Sequence, residues 1–391
     1  MDNTITNKNI NRLAIPAIIA GISEPVLSIT DAAIVGHIKI NATESLAAIG
    51  IVSSFLSMLV WVMGQSRSAI SAIVSQYLGA NKLQEIKNLP AQAISIIVII
   101  SIIICFTTIP LSKSIFEFYN AENLLLDYTV EYFNIRVIGL PFTLYTFAVF
   151  GVFRGLQNTY IPMIIALIGT STNIILDFIL VHGISGLITP MYLEGAALAS
   201  VISQFLMALL STFLIINKTK IDLIITLPLN KELPRFLTMI SNLIVRTLAL
   251  NLALYFATSF ATRYGTNYIA AYTITINLWF FAAFAVDGYA SAGNILSGKL
   301  LGAKQFENLF KLSKVLTKKS LVVGAVMGGL GGLFYFPIGR LFSSDLEVLS
   351  SFYNVFWIVL IMQPLCAITF VFDGIFKGLG EMKILRNVLL A

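Results

Sequence analysis

Apolar runs of about 20 residues or more recur along this sequence, long enough for a helix to cross roughly 30 Å of hydrocarbon. Charge almost never interrupts them: Asp, Glu, Lys and Arg make up 11% of the 391 residues, against 57% hydrophobic. A soluble domain carries about 25% charged residues, and a water-soluble fold of this size could not hide so much apolar surface. Mean hydropathy is +0.88. The runs do not alternate apolar with polar residues, as strands of a membrane barrel would. The chain is therefore expected to be an all-α, multi-pass protein of a lipid bilayer.

The runs resolve into ten spans, near 14–37, 46–76, 91–111, 130–153, 160–182, 191–216, 238–262, 268–297, 319–341 and 348–376. Lys8 and Arg12 ahead of an apolar run resemble a signal peptide. However, the run is long, contains Glu24 and Asp31, and lacks a small-residue cleavage site, so it reads as the first span. The net charge of +6 does not point to nucleic acid, because the basic residues lie in short gaps between runs. One alternate set of gaps holds most of them. The other holds only Lys39, Lys113, Arg136, Arg263 and Arg340. By the positive-inside rule the N-terminus is cytoplasmic, in a plasma (inner) membrane. Cys105 and Cys366 fall inside apolar segments and read as packing residues.

The sequence repeats itself. Pro141 and Pro364 are related by a shift of 223 residues, and the same shift aligns Ala47-Ala48 with Ala270-Ala271 and Leu78-Gly79-Ala80 with Leu301-Gly302-Ala303. It also aligns Gly151, Phe153, Gly155 and Leu156 with Gly374, Phe376, Gly378 and Leu379. Matched Pro and Gly positions in one register mark an internal repeat. An even number of spans per copy inserts both copies the same way up. The expected fold is thus two parallel six-helix bundles related by a pseudo-two-fold axis along the membrane normal. The first bundle covers 1–216, a polar cytoplasmic linker 217–236, and the second bundle 237–391. Ala391 aligns with Ile168, so the second copy is expected to lack its last two helices, giving ten spans of a twelve-span architecture.

The first span reads EPVLSITDAAIVGH (24–37), the fifth contains STNIILDFIL (171–180), and the sixth begins LEGAALASVISQ (193–204). GVFRGLQNTYIP (151–162) and DGIFKGLGEMK (373–383) occupy the corresponding gaps of the two copies. These segments resemble the multidrug and toxic compound extrusion (MATE) family, most closely its DinF-like branch. The resemblance implies export of organic, often cationic compounds by antiport with protons or sodium, with no other cofactor. The expected partners are a small organic substrate and the bilayer, and the chain is expected to act as a monomer.

Ionisable side chains inside spans cost at least a few kcal/mol and so mark candidate sites. By helical rise, Asp31 and Asp177 both lie roughly 8–9 Å below the outer ends of their spans. Asn173 sits one turn from Asp177 on the same face, and Ser200 of span six lies at a similar depth. The resemblance places Asp31, Asn173 and Asp177 in a proton-binding network, with Ser200 as its hydroxyl. Burial and a second carboxylate favour uptake of a proton. Oxygen ligands of this kind also suit sodium, and a structural hydrogen-bond cluster is the plainer reading. Glu24, two turns before Asp31, is a candidate second relay carboxylate.

Gln65, Tyr145, Gln204 and Asn277 are candidate cavity residues, each also explicable as a helix–helix hydrogen bond. Arg67 and Asp287 are expected near the inner interface, Asp287 in a salt bridge or cap. Arg246 would snorkel or pair with an acid, and His37 and His182 read as interfacial. No nucleophile triad, Walker loop or zinc motif occurs, so an enzyme is not expected. A flippase for lipid-linked oligosaccharides would need more basic residues in the spans than Arg67 and Arg246. An inactive short form is a third alternative.

Overall fold

The structure, a computed structural model, describes residues 5–36, 38, 41–184, 187–219, 221–343 and 345–391. The side chain of Glu24 and the whole of His37 lie outside the described residues. The fold is helical throughout. The first copy comprises α1 (Asn7–Val35), α2 (Ala42–Met63), α3 (Ser66–Gly79), α4 (Leu89–Phe118), α5 (Asn123–Arg136), α6 (Leu140–Gly155), α7 (Tyr160–His182) and α8 (Tyr192–Lys218). The second comprises α9 (Leu233–Arg263), α10 (Thr266–Gly302), α11 (Phe306–Leu333), α12 (Tyr335–Phe342), α13 (Leu346–Leu379) and α14 (Met382–Leu390). Among the described residues nine segments are long and apolar enough to span a membrane, or ten if the bent pair α11–α12 counts as one.

Three expected spans are not single straight helices. Span two breaks between α2 and α3 at Gly64, and span four between α5 and α6 at a 3-10 turn, Val137–Gly139. Pro141 explains the second break. It sits in the first turn of α6, where its missing N–H is harmless, and a proline there can give no N–H to continue the helix of α5 across the junction. In the ninth span α12 turns 73° from α11, after a glycine-rich stretch and just before Pro337.

The repeat seen in the sequence is also a repeat of contacts. A Cβ added at Gly79 of α3 would fall on the Lys299 carbonyl of α10, and one added at Gly302 of α10 would fall on the Gln76 carbonyl of α3. Gln76 and Lys299 are themselves related by the 223-residue shift. Within the copies, Gly151 lies on the backbone of Arg67 as Gly374 lies on that of Ala290, again in register. Only glycine lets the helix backbones approach this closely.

These crossings join the two bundles at the end that carries the basic gaps. Gln76 reinforces them: its Nε2 donates to the Gly378 carbonyl at 2.8 Å, and its Oε1 accepts from Arg235 at 2.7 Å. At the opposite end the described links run within each bundle, as from Asn41 to Tyr128 at 2.8 Å and from Asn267 to Glu347 at 2.5 Å. Large apolar side chains such as Ile99, Ile103, Phe106 and Phe213 point outward from the helices, as a lipid-facing belt requires.

The segment between α8 and α9 is bound to the first copy. Asn230 donates from its backbone to Gln92 Oε1 at 2.9 Å and from its side chain to Asn88 Oδ1 at 2.7 Å. Lys87 pairs with Asp222 and Lys231 with Glu85, both at 2.9 Å. The start of α9 then buries Phe236, Met239, Ile240 and Leu243 in the core of the first bundle.

The crossings predict opposite outcomes for one kind of substitution. Gly79→Ala and Gly302→Ala should lower the Tm of the protein in detergent by several degrees. At Gly329 an added Cβ meets nothing within 4 Å, so Gly329→Ala should hold or raise the Tm, alanine being the better helix former by about 1 kcal/mol.

Candidate functional site

Two polar sites emerge, one inside the first bundle and one between the bundles. In the first, α7 presents Asn173 and Asp177 one turn apart, and both are fully buried. α8 approaches closely because of its small residues: a Cβ at Gly195 would meet the Leu180 carbonyl at 2.7 Å. That approach brings Ser200 to the Asn173 amide, and α1 adds Asp31, 4% exposed. With the amide turned to satisfy all its neighbours, Asn173 Nδ2 donates to Asp31 Oδ1 at 3.0 Å and to Asp177 Oδ2 at 3.1 Å. Its oxygen accepts from the Ser200 hydroxyl and backbone N–H, each at 3.2 Å. The two carboxyl groups are within hydrogen-bonding reach of one another.

Two residues outside the sequence-derived candidates complete this cluster. Arg136, in the last turn of α5, is the cation whose charge acts on both carboxylates, without an ion pair to either among the described residues, and Tyr132, one turn earlier, is buried beside it. With Arg136 charged, two ionised carboxylates leave the buried cluster one negative charge in excess, and a single proton makes it neutral. A neutral cluster avoids the several kcal/mol that an unbalanced charge costs away from water. Asp177 Oδ1 has no donor among the described residues, and a proton on the pair would satisfy it. The clue in the sequence was an arginine six residues inside an apolar run, counted there as a gap residue. His182 lies apart, its ring 6.2 Å from that of Phe178.

The second site is a cavity of about 240 Å³ between the bundles. Its walls come from α2, α3 and α6 on one side and from α10 and α13 on the other. Of the four candidate cavity residues, Gln65 is in this wall. The other three are not in it: Tyr145 bonds Thr212 of α8 at 2.6 Å, Gln204 Oε1 is buried against Gly139 without a donor among the described residues, and Asn277 donates to the Thr273 carbonyl of its own helix at 2.8 Å.

Several charged residues depart from their expected places. Arg154 and Lys377, read in the sequence as gap residues, line the cavity from the last turns of α6 and α13. Arg154 donates across the interface to Ser291 Oγ at 3.2 Å. Asp287 also lines the cavity and makes no ion pair among the described residues, so it is not the expected salt bridge. Arg246 does find an acid, Asp373, at 2.7 Å, and Lys377 holds the other oxygen of that carboxylate at 2.8 Å. Arg67 stacks over Phe147 at 5.0 Å.

A sequence model of the MatE family matches residues 16–179 and 243–391. The chain belongs to the MatE family. The first matched block holds Asp31, Asn173 and Asp177, and the second holds Arg246, Asp287 and Asp373. Over 392 residues the chain is 25% identical to the DNA damage-inducible protein F of Escherichia coli (strain K12), covering 98% of this chain and 83% of that protein. It is 24% identical over 384 residues to the probable multidrug resistance protein NorM of Thermotoga maritima, covering 96% and 80%. A MATE crystal structure in the bent conformation matches with a TM-score of 0.90 at 20% identity, over 98% of this chain and 84% of that one. The Vibrio cholerae MATE transporter VcmN in its bent form matches at 0.89 and 20%, over 98% and 86%. The fold is therefore that of a MATE transporter, and this chain is a membrane transporter of the multidrug and toxic compound efflux family rather than an enzyme.

The Asn173 amide is the only described side chain that bonds both carboxylates and Ser200 at once. Asn173→Leu keeps its volume and removes those bonds. It should cost roughly 2–4 kcal/mol, the range for stranding buried charged groups, read as a lower Tm in detergent.

Proposed function

We propose that this MATE protein exports an organic compound by antiport with protons, alternating its opening between the two bundles. The observation that carries the reading is the buried Asp31–Asn173–Asp177–Ser200 cluster with Arg136. It is neutral with one proton and charged without it, so gaining or losing a proton changes the electrostatic energy of the first bundle. Its depth beneath one membrane face supports proton uptake from that side. The basic gaps at the other end support a plasma-membrane orientation with that end, and the N-terminus, in the cytoplasm. In that orientation the glycine crossings close the cytoplasmic side.

Sodium is the competing coupling ion. Protons are favoured because the Asn173 nitrogen, a donor, fills the space between the carboxylates where sodium would need oxygen ligands. Protonation and deprotonation of the cluster then shift the balance between the outward-closed and outward-open states, by the difference in how each state stabilises the charge. The coupling role of Glu24, whose side chain is not described, belongs to the same proposal as a relay on the face of α1.

Asp31→Asn should abolish substrate uptake driven by a pH gradient in inverted vesicles, with expression and folding intact. Wild-type rates in that variant would remove Asp31 from the coupling step. Loss of transport on replacing the pH gradient with a sodium gradient is the expected companion result.

A further inference from the structure

The charge balance of the inter-bundle cavity bears on what the transporter carries. Arg67, Arg154 and Lys377 line it, opposed by Asp287 and Asp373. Asp373 is already held by Lys377 and Arg246. Arg67 and Arg154 therefore have no carboxylate within ion-pair range among the described residues. Arg154 is 7% exposed; one terminal nitrogen donates to Ser291, while its Nε has no partner. The Nε of Arg67 is likewise buried and without a partner. A buried donor without an acceptor is costly, more so on a charged group, and the guanidinium fork is the side chain best shaped to take a carboxylate. Phe147, under Arg67, and Phe284 add flat apolar faces to the same wall.

We propose that this cavity binds an organic monoanion, a carboxylate on a flat aromatic body, with Arg154 and Arg67 taking the carboxylate and Phe147 and Phe284 the ring. The proposal rests on the exporter reading and replaces the cationic cargo implied by the family resemblance. The sequence argument against an anion counted Arg67 and Arg246 alone, and the fold adds Arg154 and Lys377 to the wall. Asp287 limits the preference to one negative charge, since a second would face it across the cavity. A space of about 240 Å³ is below the usual range for drug-sized ligands, which suits a two-ring acid and excludes a lipid-linked oligosaccharide from the cavity in this state.

Two probes with the same ring and opposite charge test this: naphthalene-1-acetate and 2-(1-naphthyl)ethylammonium. Affinity is measured by calorimetry on the full chain in detergent, with no ion gradient. The carboxylate is expected to bind at least tenfold more tightly than the ammonium. Arg154→Gln should weaken the carboxylate at least tenfold and leave the ammonium unweakened. Asp287→Asn, a change at an exposed side chain, should tighten the carboxylate severalfold, and it decides the matter if Arg154→Gln does not fold. Binding of neither probe, equal or tighter binding of the ammonium, or a carboxylate affinity indifferent to Asp287→Asn would overturn the proposal. Because binding is read without a gradient, absent binding with intact coupled export faults only the cargo, and intact binding without coupled export faults only the coupling.

Discussion

Backbone-to-backbone contact at Gly79 and Gly302 is the constraint on which the arrangement of the two bundles rests. Side chains of any size at those positions would hold α3 and α10 apart. The contact forms from equivalent residues of the two copies. Neither bundle therefore supplies a socket for the other; each presents the same surface, as at a two-fold interface between subunits. Gln76 adds polar bonds from the first copy to both α9 and α13, so the closed end is held by packing and by hydrogen bonds together.

The acid cluster and the cavity lie in different places, and α1, which carries Asp31, packs into both bundles. Its outer half carries Asp31 into the first bundle, where Ile34 and Val35 join the core. Its inner half packs Ile10, Leu13 and Ala14 into the core of the second, and Gly288 of α10 sits against Ala14 and Ile18. Pro16 and Pro25 interrupt its hydrogen-bond ladder between those regions, which is where a spanning helix bends most readily. A change of charge at Asp31 therefore acts on a helix that both bundles grip, a physical route for coupling between two sites.

Much of this architecture was legible in the sequence, because lipid imposes a length and a polarity on every span. The span positions, the repeat and its register followed from apolar runs and from paired Pro and Gly. Asp31, Asn173, Asp177 and Ser200 could be grouped because a buried acid in a span stands out and helical rise gives its depth. Depth says nothing about rotation, and there the sequence ran out. Tyr145, Gln204 and Asn277 were as polar and as deep as Gln65, yet only Gln65 faces the cavity. Arg136, Arg154 and Lys377 were hidden for a different reason. Residues near span ends look solvated in a linear reading, and only the packing of α5, α6 and α13 against their neighbours shows that these three face inward.

The strap between the bundles has a mechanical consequence. Asn230, Lys231 and Asp222 tie it to the first bundle, and α9 is anchored there through Leu243. Any rotation of one half against the other must then be taken up as torque along α9 beyond that anchor, not as slack in a loop. The next turn of α9 carries Arg246, which grips Asp373 in the cavity wall. The pivot and the wall are thus parts of one lever, and the chamber cannot change its shape without straining the ion pair at the lever's shoulder.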